Sequence, residues 1–232
     1  MRRWFFTADD GIHGRELWQS DGTPQGTFMV KDVAAAYYDP SAAQVINPDS
    51  NPANLTVMNG SLYFSTLQVL NTPGSVLYKS DGTGQGTVAV KRINSDSVDS
   101  EEPYAIHLEP IRFTVVGDQL FFIAGTHIDW LSATNENVEL WRSDDTDAGT
   151  HQVKDIFPFN FGSSRPSKLR EVNGKLVFSA YTEDYGREPW VSDGTEGGTF
   201  MLKDIHRDLH PGTTYGQDSE SHGRSYGEYQ YE

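Results

Sequence analysis

The sequence predicts an all-β protein built as a β-propeller of four-stranded antiparallel meander blades, a partial ring or part of a larger one. Three observations lead there. An eight-residue turn is written four times, beginning at Ser20, Ser80, Ser143 and Ser192, and within it Ser, Asp, Thr, Gly and a final Thr never change. The copies recur at roughly fifty to sixty residues with strand-like content between them, a period that belongs to propellers rather than to helical solenoids. The flanking strands carry adjacent apolar residues, as in Phe121-Phe122-Ile123 and Phe200-Met201-Leu202. Successive strand residues point to opposite faces, so both faces of each sheet must be covered, which radial stacking of blades achieves and a two-layer sandwich does not.

Each copy reads in the order A to D. The second is the most complete. Leu55 to Met58 alternates as strand A, Asn59-Gly60 is a two-residue hairpin turn, and Ser61 to Ser65 is strand B. Ser75 to Lys79 is strand C, and after the recurring turn Thr87 to Ile93 is strand D. The third copy repeats this with Phe113–Val116, Leu120–Ile123, Val138–Trp141 and His151–Ile156, and the fourth with Leu169–Val172, Leu176–Phe178, Glu188–Val191 and Phe200–Ile205. The first begins at its B strand, Trp4 to Ala8, with strand A missing. The copies therefore span 4–33, 54–93, 111–156 and 168–205 of a propeller segment over 1–205. Residues 206–232, rich in Gly, Ser, acidic residues and Tyr, are expected to form a flexible low-complexity tail.

Composition narrows the function. The chain has no cysteine, which excludes a disulfide framework, a thiolate metal site and a cysteine nucleophile. A formal net charge of -15 argues against nucleic acid, whose phosphates are bound by Lys and Arg. No segment has the length of a signal peptide's apolar core or of a membrane span, so membrane insertion is not expected.

The runs Glu16-Leu17-Trp18-Gln19-Ser20-Asp21-Gly22-Thr23 and Glu139-Leu140-Trp141-Arg142-Ser143-Asp144-Asp145-Thr146 resemble the signature of the ELWxxDGT-repeat, or hyalin-like, proteins of bacterial surfaces and secretions. The resemblance covers all four copies, with departures at Val76-Leu77-Tyr78, at Pro189 and at Asp145. It implies a bacterial source, a propeller, and extracellular or cell-surface placement for a parent protein, and it implies no reaction. The turn is also similar in logic to the Asp-box of sialidase-type propellers. Pro189 cannot donate a ladder hydrogen bond, so its strand is expected at an edge or distorted.

Two readings attach to the recurring acids. Asp21, Asp81, Asp144 and Asp193 are either a ring of cation ligands or turn-formers whose carboxylates accept N–H groups of their own turns; equal recurrence in every blade favours the second. Glu16, Glu139 and Glu188 either line an acidic channel or pair between blades with Lys31, Lys91, Lys154, Lys203, Arg15 or Arg187.

Meander parity locates the variable surface. The A–B and C–D turns share one end of every blade and are nearly identical, while the B–C loops and D–A links share the other end and vary. The candidate ligand-binding residues are therefore those of the variable rim: Asp9, Asp10, His13, Tyr37, Tyr38, Asp129, Trp130, Asp184 and Tyr185. Aromatic faces beside carboxylates suit sugar rings. No cofactor is required; calcium is the candidate cation, at Asp9-Asp10 or within Asn94 to Glu102. Catalytic residues are not identified. Gly223 to Gly227 spells a nucleophile elbow without its strand and helix, and His206 with His210 lies past the last repeat. The expected function is a non-enzymatic scaffold for extracellular interaction or adhesion, with a protein or glycan ligand and other repeats of the same parent polypeptide as partners. The alternative is a propeller that binds or hydrolyses glycans, with Asp9, Asp10, Asp129 and Asp184 as its carboxylates.

Overall fold

A computed structural model of the chain describes residues 3–66, 75–93, 111–125, 137–158 and 162–205. All regular structure in these residues is β. Blade 1 is a three-stranded sheet of β1 (Trp4–Asp9), β2 (Arg15–Ser20) and β3 (Phe28–Lys31). A hairpin, β4 (Tyr37–Asp39) and β5 (Gln44–Ile46), occupies the link to blade 2. Blade 2 is β6 (Ala53–Met58), β7 (Ser61–Thr66), β8 (Val76–Ser80) and β9 (Val88–Arg92). Blade 3 is β10 (Ile111–Val116), β11 (Gln119–Gly125), β12 (Val138–Ser143) and β13 (His151–Lys154). Blade 4 is β14 (Ser167–Val172), β15 (Lys175–Thr182), β16 (Gly186–Ser192) and β17 (Phe200–Met201).

Every blade is an antiparallel meander whose strands pair in chain order, and among the described residues the first has three strands, beginning at its B strand. The A–B hairpins close on left-handed residues, Asn59 with Gly60 and Asn173 with Gly174, the backbone that a two-residue turn of matching twist requires. Strands β6, β10 and β14 of successive blades approach one another, which places strand A at the hub. Each of the three carries a bulge at the same place, with Asn54, Arg112 and Lys168 in the left-handed region.

The core lies between blades rather than within one sheet. Leu17 and Val30 of blade 1 pack on Leu62 and Phe64 of blade 2. Tyr63, Leu77 and Ile93, from the other face of blade 2, pack on Leu120, Phe122 and Trp141 of blade 3. Phe121, Leu140 and Ile156 of blade 3 meet Leu176, Phe178 and Trp190 of blade 4. Adjacent residues of one B strand thus serve two different interfaces, which is why the apolar pattern does not alternate. These stacked sheets are blades of a β-propeller.

Of the two places expected for Pro189, an edge or a distortion, the structure shows the second. Strand β16 is interior, paired with β15 and β17, and the Pro189 carbonyl accepts the Leu202 N–H at 2.8 Å. What Pro189 alters is the neighbouring ladder: β17 is two residues long, where the equivalent strands run four or five. The predicted tail, the Gly223 to Gly227 run, His206 with His210, and Asn94 to Glu102 fall outside the described residues.

Candidate functional site

The recurring turn spends its polar groups on itself. In blade 1 the Thr23 N–H and Thr23 hydroxyl both donate to Asp21 Oδ1, at 3.0 and 2.7 Å. The Gly26 N–H donates to Thr23 Oγ1, the Gly22 N–H to Ser20 Oγ, and the Ser20 and Thr27 hydroxyls share a 2.7 Å bond. The same set recurs around Asp81, Asp144 and Asp193. Bonds from the Thr hydroxyl and N–H hold all four carboxyls below the usual aspartate range. The two glycines of the turn have different reasons. Gly22, Gly82 and Gly194 are left-handed, and Asp145 holds the equivalent conformation at φ 83. Gly26 is not left-handed; a Cβ there would overlap the Asp21 carboxylate lying against it, and the same holds at Gly86, Gly149 and Gly198. The carboxylates are turn-formers.

The repeated glutamates are buried rather than exposed along a channel, and Glu16 and Glu139 are held by backbone N–H groups and serine hydroxyls instead of lysine or arginine. Glu16 and Glu139 are completely buried, and Glu188 nearly so. Glu16 accepts the N–H groups of Val33, Ala34 and Ser50 and the Ser50 hydroxyl at 2.5 Å. Glu139 accepts the N–H groups of Ile156 and Ser164 and the Ser164 hydroxyl at 2.5 Å, and Glu188 accepts the Ile205 N–H. Each carboxylate therefore pegs the backbone leaving strand D to the start of strand C, and for Glu16 and Glu139 also the next link. Burial pushes Glu16 up and Glu139 up to about 7, against the pull of those donors. In blade 2 Val76 stands in this position, and the Ile93 N–H turns to the Ser75 carbonyl at 2.8 Å instead.

The lysines do reach the next blade, where each takes a carbonyl and Lys91 also pairs with the Asp147 carboxylate at 3.4 Å. Lys31 Nζ donates to the Thr87 carbonyl at 2.7 Å, Lys154 Nζ to the Thr199 carbonyl at 3.0 Å, and Lys91 Nζ to the Asp147 carbonyl at 3.2 Å. Arg187 donates to the Arg165 carbonyl and the Ser167 hydroxyl within its own blade. Where Asp145 replaces glycine, Lys79 of blade 2 pairs with it at 3.0 Å.

The rim residues split into four groups. Asp9 and Asp10 shape the first B–C loop: Asp9 Oδ1 accepts the Gly11 N–H, and Asp10 accepts the N–H groups of Ile12 and His13 and faces His13 Nδ1 at 2.7 Å. The His13 N–H and ring hold the Asp10 carboxyl down to about 2, and Asp10 raises His13. These carboxylates are committed to their loop, and among the described residues no three His, Asp or Glu side chains gather as a metal site. Tyr37 and Tyr38 stand on the β4–β5 hairpin, with Tyr38 well exposed. Asp129 and Trp130 lie outside the described residues.

Asp184 and Tyr185 meet other groups. With Thr182 and Glu183 they form the B–C turn of blade 4, which borders a cleft of about 160 Å³ closed on its other side by Ile156, Phe157 and Pro158 from the link leaving blade 3. Trp190 and Met201 floor it. Phe157 stacks on Tyr181 with ring centres 5.9 Å apart, and the Tyr185 N–H donates to Thr182 Oγ1, so the turn and the link are held as one wall. The volume is below the roughly 300–1,000 Å³ of a pocket for a drug-sized ligand, and suits one ring or one side chain. Phe157 and Pro158 went unpredicted because they immediately follow a strand that reads as core.

A second feature is also missing from the sequence-based list. Arg112, Lys168 and Arg170 converge with Phe113 and Leu169 on an open groove of about 520 Å³ between β10 and β14 at the hub. Cations scattered through an acidic chain gather here because bulged A strands lie side by side.

A scan against protein-family models finds no match, and a comparison with curated proteins finds none. Among solved structures, the chain is similar to the AtxE2 isopeptidase in its apo form, at 10% identity and a TM-score of 0.43, over 89% of this chain and 39% of that one. It therefore spans well under half of the isopeptidase's length. It is also similar to an α-L-arabinofuranosidase from Clostridium thermocellum, at 14% identity and a TM-score of 0.29, over 87% of this chain and 70% of that one. No activity follows from either.

Proposed function

We propose that this chain is a non-enzymatic propeller scaffold of a bacterial surface or secreted protein, and that it engages an extracellular ligand through the variable rim. The observation that carries this reading is the division of chemistry along the blades. The recurring acids are consumed by turns and pegs, while the cleft at the opposite end offers Tyr185, Phe157 and Trp190 beside Glu183 and Asp184. An aromatic wall with a carboxylate edge suits a sugar ring, whose C–H face stacks and whose hydroxyls donate, and this makes a glycan the favoured ligand class.

Binding rather than hydrolysis is favoured by where the acids come from. A glycosidase sets two carboxyl groups on opposite sides of the scissile bond, about 5–9.5 Å apart. Both carboxylates of this cleft are sequence neighbours on one turn. Titration calorimetry against a panel of neutral and acidic oligosaccharides tests the proposal. Expected are binding without release of reducing sugar, and roughly three- to tenfold weaker binding for Tyr185→Ala, the loss of one good stacking contact. Sugar release abolished by Asp184→Asn would establish the hydrolase instead, and binding unaffected by Tyr185→Ala would remove the cleft from consideration.

A further inference from the structure

The three joints between blades share one plan, and each has a giving and a receiving side. On the giving side, the D strand contributes an apolar residue, the following lysine, and an aliphatic residue two further on. These are Val30, Lys31 and Val33 in blade 1, Val90, Lys91 and Ile93 in blade 2, and Val153, Lys154 and Ile156 in blade 3. Val30, Val90, Val153, Ile93 and Ile156 are all at most 8% exposed, and each lysine reaches the recurring turn of the next blade. On the receiving side stand the turn and the B-strand residues at the positions of Leu62 and Phe64, Leu120 and Phe122, and Leu176 and Phe178, all buried against the preceding blade.

Blade 4 holds the giving set complete, and none of the described residues covers it. Leu202 is 50% exposed and Ile205 67%, and Lys203 has no hydrogen-bond partner among the described residues. Blade 1 presents the receiving positions Trp4 and Phe6, the first exposed and the second half-buried beneath it. Trp4, in register with Leu62, Leu120 and Leu176 through its pairing with Ser20, is 67% exposed. Gly82 and Gly194 rest on side chains of the blade before them, Arg3 and Phe5 or Gln119 and Phe121, whereas Gly22 has nothing within 4 Å. These two faces are the complementary halves of a joint that the molecule makes three times internally.

We infer that the blade 4 face is an interaction surface for a second copy of this chain, which presents its blade 1 in the register of the internal joints, so that Lys203 of one copy donates to the Thr27 carbonyl of the other. The contact is heterologous: each copy keeps one face of each kind, and association proceeds head to tail. It uses the blade faces rather than the rim, and stands independently of the ligand proposed above.

Sedimentation velocity on the 232-residue chain across a wide concentration range tests this, with circular dichroism melts to verify that each variant is folded. The weight-average mass is expected to rise above the 25.9 kDa monomer with concentration. Ile205→Asp and Trp4→Asp, each at an exposed position, are expected to be monomeric alone and to form a 1:1 dimer, and nothing larger, when mixed. Lys203→Glu is expected to weaken association by at least about tenfold, as loss of a charged hydrogen bond does. A parent chain that stays monomeric throughout would overturn the inference. So would a dimer that survives in either single-face variant, because that contact would be face to like face.

Discussion

Adjacent glycines in the last recurring turn provide a sharp test of why the turn is written as it is. Gly197 and Gly198 are chemically identical, and neither is left-handed. A Cβ at Gly197 meets nothing within 4 Å, whereas one at Gly198 would overlap the Asp193 carboxylate. Gly197→Ala is expected to stabilise by about 0.4–1 kcal/mol, since it restricts the unfolded chain without clash. Gly198→Ala gains the same entropy but must displace Asp193, whose Oδ1 accepts the Thr195 N–H at 2.9 Å and the Thr195 hydroxyl at 2.7 Å. Two hydrogen bonds to a carboxylate that is open to water are worth about 1–3 kcal/mol together, discounted from the buried value. The net expectation is a loss of about 1–2 kcal/mol, or roughly 2–8 °C in melting temperature for a domain of this size. Paired thermal and urea melts read the difference directly. Equal melting temperatures for the two variants would refute the carboxylate-on-glycine packing and return the invariance of this glycine to backbone preference alone.

Further expectations follow from the buried and paired acids. Glu139, raised to about 7, holds a proton that the unfolded chain releases near 4.5, so its contribution is fully present below 4.5 and is lost as pH rises through about 7. The loss is on the order of 3 kcal/mol, and the difference between parent and Glu139→Gln melts over that window should show it. Glu139→Ala, which strips the Ser164 and Ile156 N–H groups of their acceptor, should cost about 2–4 kcal/mol in a urea melt. At the blade 2–3 joint, Asp145→Gly relieves a left-handed aspartate while losing the Lys79 pair, and should change stability by less than about 1 kcal/mol. Asp145→Ala keeps the strain and loses the pair, so it should melt lower than Asp145→Gly. In an NMR titration His13 should deprotonate above 6.5, and Asp10→Asn should bring it back down. The His13 contribution is present below 6.5 and lost as pH rises through its raised value; that of Asp10 is present above 3.8 and lost as pH falls through about 2.

Much of the architecture was legible because it is local and repeated. The blade count in this chain, the meander order, the first blade's start at its B strand and the two-face burial all follow from period, turn residues and strand pairing over short separations. The recurring aspartate was readable for the same reason: its partners lie two residues away in the turn itself. Glu16 and Glu139 were misread because their donors are 17 to 34 residues off, on a link whose path no local pattern specifies. A buried carboxylate fed by N–H groups and a charged one on a surface are spelled alike.

Each blade can be read from the chain, because a strand's partners and a turn's hydrogen bonds are set by near neighbours. How the blades act on one another emerges from their packing. That packing turned the repeated lysine into a latch on the next blade's turn, brought Phe157 and Tyr185 to the walls of one cleft, and drew Arg112, Lys168 and Arg170 to the hub. It also left Leu202 and Ile205 bare where their counterparts are buried. Burial is a property of what lies opposite, and residues identical in sequence differ in it when one of them faces a blade and the other faces water.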